Sequence, residues 1–110
     1  MQLKDHSFFC QFSPPVGAEI QTLARVIEYP DGEVIFNEGD VPDSLYLVLE
    51  GTVDIVKSLP GIPRQVIAQI GADNYFGEYG VLDGQARSAG AVARGSPVRL
   101  ARIDCAPFME

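Results

Sequence analysis

The sequence contains no tryptophan, two cysteines and a single histidine, and each scarcity closes off a class of function. A structural zinc site takes about four Cys or His ligands. Here Cys10, Cys105 and His6 are the whole supply, and no C-x-x-C pair occurs. No metal site is expected, and the cysteines are expected to be reduced, mostly buried thiols. Basic residues are also short, eight Lys and Arg against fifteen Asp and Glu, for a net charge of −7. Nucleic-acid binding rests on clustered Lys and Arg that neutralise phosphates, so no direct nucleic-acid partner is expected. No apolar run approaches the roughly 18–20 residues that span a bilayer. The N-terminal "MQLKDHSFFCQFSPP" lacks the basic-then-apolar order of a signal peptide. These absences lead to the expectation of a soluble, cytoplasmic protein with no membrane partner. The triphosphate-binding pattern G-x-x-x-x-G-K-[ST] is missing too.

What is present is an ordinary globular composition, 46% hydrophobic over 110 residues. That is enough for a single domain, 1–110, with its own core. "SPPVGAEIQTLARVIEY" predicts a helix, with Ser13 as cap and prolines in the first turn. Val16, Ile20, Leu23, Ala24 and Ile27 recur at helical spacing. Phe8, Phe9 and Phe12 predict a short leading turn packed on the core. After "YPDGE" the period becomes two. "EVIFNEGD" reads as a short strand, and "SLYLVLEGTVDIVKS" as two strands around a Glu50-Gly51 hairpin turn. "LPGIPR" reads as a loop and "QVIAQIG" as a strand, and "SAGAVARG" and "SPVRLARID" as two more. Leu45, Leu47 and Leu49 share one strand face, as do Val53 and Ile55, and Val98, Leu100 and Ile103 lean inward. "CAPFME" predicts the first turn of a helix. Short strands at regular spacing with glycine turns predict a closed or double-layered antiparallel β-fold.

Chemistry concentrates in "NYFGEYGVLDGQARSAG", Asn74 to Gly90. Gly77 lets the backbone approach a ligand closely, since it has no Cβ. "EYGVL" is enough for one helical turn, whose first N–H groups lack internal partners and form an anion site. Gly80 keeps the wall open. Asp83-Gly84 reverses the chain. Arg87 then offers a planar fork of donors suited to phosphate, Ser88 a hydroxyl, and Ala89 a thin wall. Glu78 cannot bind phosphate and is placed to accept from hydroxyls, as acidic residues do for ribose in dinucleotide folds. Taken singly, Glu78 is a solvated turn residue, Arg87 a surface charge and Tyr79 a core or rim residue. Taken jointly, they suit a ligand with one phosphate and a nearby sugar hydroxyl. No nucleophile–base pair accompanies them, so no enzyme is expected.

"FGEYGVLDGQARSA" resembles the phosphate-binding cassette of the cyclic nucleotide-binding domain family, of the catabolite activator and cyclic-AMP-dependent kinase regulatory subunit type. Upstream, "YPDGEVIFNEGDVPDSLYLVLEGTVDIV" carries P-x-G-x-x-I-x-x-E-G-D, an L-Y-x-V strand and a G-x-V turn in the family's order. The similarity covers roughly residues 14–108. The resemblance implies a mainly β fold with flanking helices, a double-stranded, jelly-roll-like β-roll. It implies a regulatory module that binds cyclic AMP, or else cyclic GMP, and signals by a conformational shift to an effector domain or partner outside this chain. By position, Glu78 would accept from the ribose 2′-hydroxyl, Arg87 would pair with the cyclic phosphate, and Ser88 would bond the phosphate or base. Backbone N–H groups from Gly77 to Gly80 would complete the cradle, with Phe76, Tyr79 and Ala89 as wall contacts. Ala86 stands where the family often has proline, and Tyr79 where an aliphatic is usual. The family's hinge and lid helices are expected to be missing or truncated, since the sequence stops at Glu110. A changed ligand (haem, an iron–sulfur cluster or an organic acid) and a non-binding structural or dimerising roll are the alternatives, and a homodimer is left open.

Overall fold

The computed structural model describes residues 1–77 and 86–104, Ser96 without its side chain. The chain opens with two 3₁₀ turns, Leu3–Asp5 and Ser7–Gln11, and one helix, α1 (Pro14–Leu23). Strands follow: β1 (Ala24–Tyr29), β2 (Val34–Phe36), β3 (Ser44–Leu59), β4 (Ile62–Ile70), β5 (Tyr75–Phe76) and β6 (Gly90–Asp104). They form one antiparallel sheet in the order β1-β6-β3-β4, with β2 paired to β6 and β5 to β3. The result is the mainly β roll with a flanking helix that the sequence predicts.

The helix ends earlier than its apolar spacing suggests. Residues Ala24 to Tyr29 leave it and pair with Ile103 to Val98. Val26, Ile27 and Tyr29 are β-branched or aromatic residues that suit a pleated edge. Ile20 reaches the core, whereas Val16 and Leu23 stay 45% exposed. Gly17 is buried, 3.6 Å from the Phe9 carbonyl if given a Cβ, which seats the helix on the leading turn. Ser13 makes no side-chain cap; its carbonyl accepts from Gly17 N–H at 2.8 Å.

The expected hairpin at Glu50-Gly51 does not form. β3 runs through it, with Gly51 at φ 86° and the pairing with β6 shifting register between Val48 and Thr52. A bulge of this kind keeps the strand continuous while bending it and raising its twist. "SAGAVARG" and "SPVRLARID" likewise merge into the single strand β6. The two long strands therefore curl together.

Their two faces carry separate cores. On one, Leu47 and Leu49 pack with Phe9, Ala101 and Ile103, joined by Leu45. On the other, inside the roll, lie Tyr46, Val48, Val53, Phe76, Val98 and Leu100, with Ile55 against them. Val98 and Leu100 thus face the roll, and Ile103 the helix side. Each fully buried Leu or Val contributes about 1.5–3 kcal/mol over its exposed state. Cys10 is exposed rather than buried, because it sits on the outer side of the turn whose Phe9 faces in. Cys105 and the helix expected at "CAPFME" lie outside the described residues.

Candidate functional site

Arg87 lies just before β6 and is buried, only 6% exposed. Its guanidinium reaches into the roll rather than out to water. Nη1 donates to the Gly77 carbonyl at 2.6 Å and Nη2 to the Ser44 carbonyl at 2.5 Å. The group also lies 4.2 Å from the centroid of the Phe36 ring, a cation–π contact. A charged fork at this depth needs such acceptors, because burial of an uncompensated charge is costly. The arginine thereby joins both ends of the segment singled out in the sequence to the start of β3.

Gly77 is required twice over. Its φ of 93° is a conformation L side chains avoid, and a Cβ there would stand 2.8 Å from Arg87 Nη1. Before it, Phe76 pairs with Tyr46 across β5 and β3, and the two rings stack at 5.2 Å. Phe36 completes the aromatic floor, 5.9 Å from Phe76 and 5.8 Å from Tyr46.

The main chain of Arg87 is held from the other side by the loop after β2. Gly39 N–H donates to the Arg87 carbonyl at 2.7 Å, and Arg87 N–H to the Asp40 carbonyl at 2.9 Å. Asp40 closes that loop by accepting Asn37 N–H at 2.9 Å. Ser88 is exposed, and its carbonyl accepts from Lys57 Nζ at 2.5 Å. Ala89 is half-buried beside it. Gly90 closes the wall: a Cβ would come within 3.2 Å of Val56 and 3.3 Å of the Phe36 carbonyl.

A cleft of about 320 Å³ borders the arginine, lined by Ile35, Phe36, Asp40, Val41, Asp43, Tyr46 and Arg102. Arg102 donates to Asp104 at 2.8 Å, a bond that raises its pKa above the ordinary arginine value. It also reaches Asp43 at 3.4 Å. Among the described residues no cluster of three His, Cys, Asp or Glu could hold a metal ion.

The structure thus brings together Gly77 and Arg87 and sets Phe76 in the aromatic cluster beside them, while Ser88 is exposed and Ala89 half-buried next to the arginine in the chain. Glu78, Tyr79 and Gly80, with the expected one-turn segment, lie outside the described residues. Sequence reasoning missed Ser44 and Phe36 as supports of the arginine, and Lys57 as the donor to the Ser88 carbonyl beside it. For Phe36 and Lys57 no local signal exists, since each sits in a strand pattern that fits many roles. The E-G-D tripeptide was a signal, but only the fold shows that it grips Arg87.

The sequence profile of the cyclic nucleotide-binding domain family matches residues 26–110. The chain is 42% identical over 65 residues to the cyclic AMP receptor protein of Thermus thermophilus, covering 59% of this chain and 30% of that protein. It is 35% identical over 80 residues to the cAMP-dependent protein kinase type II regulatory subunit of Drosophila melanogaster, covering 73% of this chain and 21% of that one. The chain thus aligns with less than a third of the length of either relative. Among solved structures, the regulatory domain of Toxoplasma gondii PKA, co-crystallised with cAMP, superposes with a TM-score of 0.86 at 26% identity, over 96% of this chain and 41% of that one. No helix among the described residues is long and apolar enough to cross a membrane.

Proposed function

This chain belongs to the cyclic nucleotide-binding domain family, and we propose that it is a non-catalytic sensor module that binds cyclic AMP in preference to cyclic GMP and passes the binding event to an effector outside these residues. The observation that carries the reading is the placement of Arg87. Its guanidinium, buried between the start of β3 and the end of β5, donates to the main-chain carbonyls of Gly77 and Ser44. A singly charged cyclic phosphate is a stronger acceptor than either carbonyl, since ionised partners roughly double a hydrogen bond. Glu78 then takes the ribose hydroxyl, N–H groups from Gly77 to Gly80 take remaining phosphate oxygens, and Phe76, Tyr79 and Ala89 form walls. Ser88 bonds the phosphate or the base. The preference for cyclic AMP rests on the G-Q-x-R-S-A string, Gly84 to Ala89, and on relatives named for that nucleotide.

The same contacts supply a signal. A ligand shifts a conformational equilibrium only through unequal affinity for its states. When phosphate claims donors of Arg87, the hold on Gly77 and Ser44 weakens, and those two residues lead into the cassette and β3. Calorimetric titration with cyclic AMP, cyclic GMP and linear AMP tests this. Cyclic AMP is expected to bind tightest and linear AMP weakest. No heat with either cyclic nucleotide up to about millimolar concentration overturns the reading. Binding also stabilises the native state by mass action, about 2.7 kcal/mol at a hundredfold excess over Kd, so a melting-temperature rise of several degrees accompanies it.

A further inference from the structure

Lys57 is the first β3 residue beyond the β3–β6 ladder, which ends where Val56 faces Gly90. Its ammonium reaches back to the residues that lead into β6. Nζ donates to the Ser88 carbonyl at 2.5 Å and lies 3.8 Å from Glu38 Oε2. The other oxygen of that carboxylate, Oε1, accepts the Ser58 backbone N–H at 3.2 Å. Glu38 is thus tied to the main chain directly after Lys57, and the lysine stands between it and Ser88.

Residues 86–89 belong to no helix or strand, so individual bonds rather than a ladder place their backbone. The N–H of Arg87 donates to the Asp40 carbonyl, and its carbonyl accepts from Gly39 N–H. Both partners are main chain of the loop after β2. The next group along, the Ser88 carbonyl, is held by a side chain instead, that of Lys57. This carbonyl lies in the peptide plane that joins Ser88 to Ala89. Its direction therefore sets the rotation of that plane and the course of the chain from Ser88 into β6. An ammonium donor makes the bond stronger than a neutral one would. The Lys57–Glu38 pair itself is 37% and 41% exposed, and ion pairs so open to water add little to stability. What it does is local: it fixes one carbonyl.

We propose that Lys57 is a positioning residue of the ligand site: steadied by Glu38, it fixes the Ser88–Ala89 peptide and so sets the direction in which Ser88 offers its hydroxyl to the nucleotide. The alternative for a cation in this place is to attract the anionic ligand from a distance. Glu38 speaks against that, because its carboxylate stands 3.8 Å from the ammonium and offsets its charge. The pair offers a phosphate little net charge, but it offers the Ser88 carbonyl a donor whose place is fixed. The role asks for a charged donor on a long stem, which lysine has and arginine shares.

This inference deepens the cyclic nucleotide reading, rests on it for the binding arm, and is tested without ligand as well. Lys57→Met keeps most of the apolar stem and removes the donor, and Lys57→Arg keeps a charged donor. In the ligand-free proteins, NMR relaxation gives the order parameter of the Ala89 amide, whose N–H shares a peptide plane with the Ser88 carbonyl. It is expected to fall in Lys57→Met and to stay at the wild-type value in Lys57→Arg. Cyclic AMP affinity is then measured by calorimetry. Lys57→Met is expected to bind about threefold or more weaker, the scale of one hydrogen bond, and Lys57→Arg within about twofold of the wild type. An unchanged Ala89 order parameter in Lys57→Met overturns the proposal even where affinity falls, since the ammonium then acts on the charge of the ligand from a distance. Equal affinity of Lys57→Met and wild type overturns it, as does an arginine variant as weak as the methionine one. Absence of binding to the wild type defeats the functional reading, and the Ala89 amide then decides the positioning alone.

Discussion

At the scale of the residue, the site rests on one glycine facing one arginine. Gly77→Ala combines a positive φ with a Cβ 2.8 Å from Arg87 Nη1. The substitution is expected to cost about 1–3 kcal/mol, read as a lower urea midpoint with an unchanged slope. Arg87→Lys keeps the charge but loses the planar fork that spans the carbonyls of Gly77 and Ser44. It is expected to weaken cyclic AMP binding about tenfold or more, the worth of a charge-assisted hydrogen bond; unchanged calorimetric affinity would place the phosphate elsewhere. These two residues were legible in the sequence because their chemistry is local: a cation with five donors, and a residue without a side chain. Ser44 was not, since it acts through its carbonyl, which every residue possesses.

At the scale of the element, β3 and β6 owe their length to glycines that bend them without ending them. Gly51 and Gly95 both adopt positive φ, 86° and 110°. Their surroundings differ: a Cβ at Gly51 would meet Val98 at 2.9 Å and the Pro97 carbonyl at 3.0 Å, whereas nothing lies within 4 Å at Gly95. Gly95→Ala is therefore expected to cost only backbone strain, about 1 kcal/mol, and Gly51→Ala clearly more, because overpacking adds to it. Chemical denaturation of the two variants side by side checks the order. Equal losses would mean that the crowding at Gly51 relaxes freely.

At the scale of the whole molecule, stability depends on pH through Tyr29 and Asp73. Tyr29 has its pKa raised, chiefly by burial and next by the nearby Tyr46. Folding thus favours its protonated form. That contribution is complete below the ordinary tyrosine value of about 10 and is lost as pH rises through the folded one. Tyr29→Phe is expected to flatten the fall of melting temperature between about pH 9 and 11. Asp73 works in the opposite sense. Its carboxyl is held below the usual carboxylate range, first by the Ser7 N–H, so its contribution is present at neutral pH and disappears as acid protonates it.

The sequence by itself determined the class of fold and which donors and bare positions the proposed cassette has to offer. Alternating apolar residues and glycine turns point to a closed or double-layered antiparallel β-fold, the resemblance to the cyclic nucleotide-binding domain family narrows it to a β-roll, and Gly77, Arg87 and Ser88 carry their donors and their bareness wherever they are placed. Tertiary structure alone decided three things: that α1 stops at Leu23, that Gly51 bends a strand instead of reversing it, and that Arg87 points inward. The reason is the same in each case. A period of two, or a glycine at positive φ, is shared by a hairpin and by a long bulged strand, and apolar residues spaced three and four apart can straddle the boundary between a helix and a strand. Only the pairing of residues distant in sequence, Ala24 with Ile103, Thr52 with Arg94, Arg87 with Ser44, selects between them.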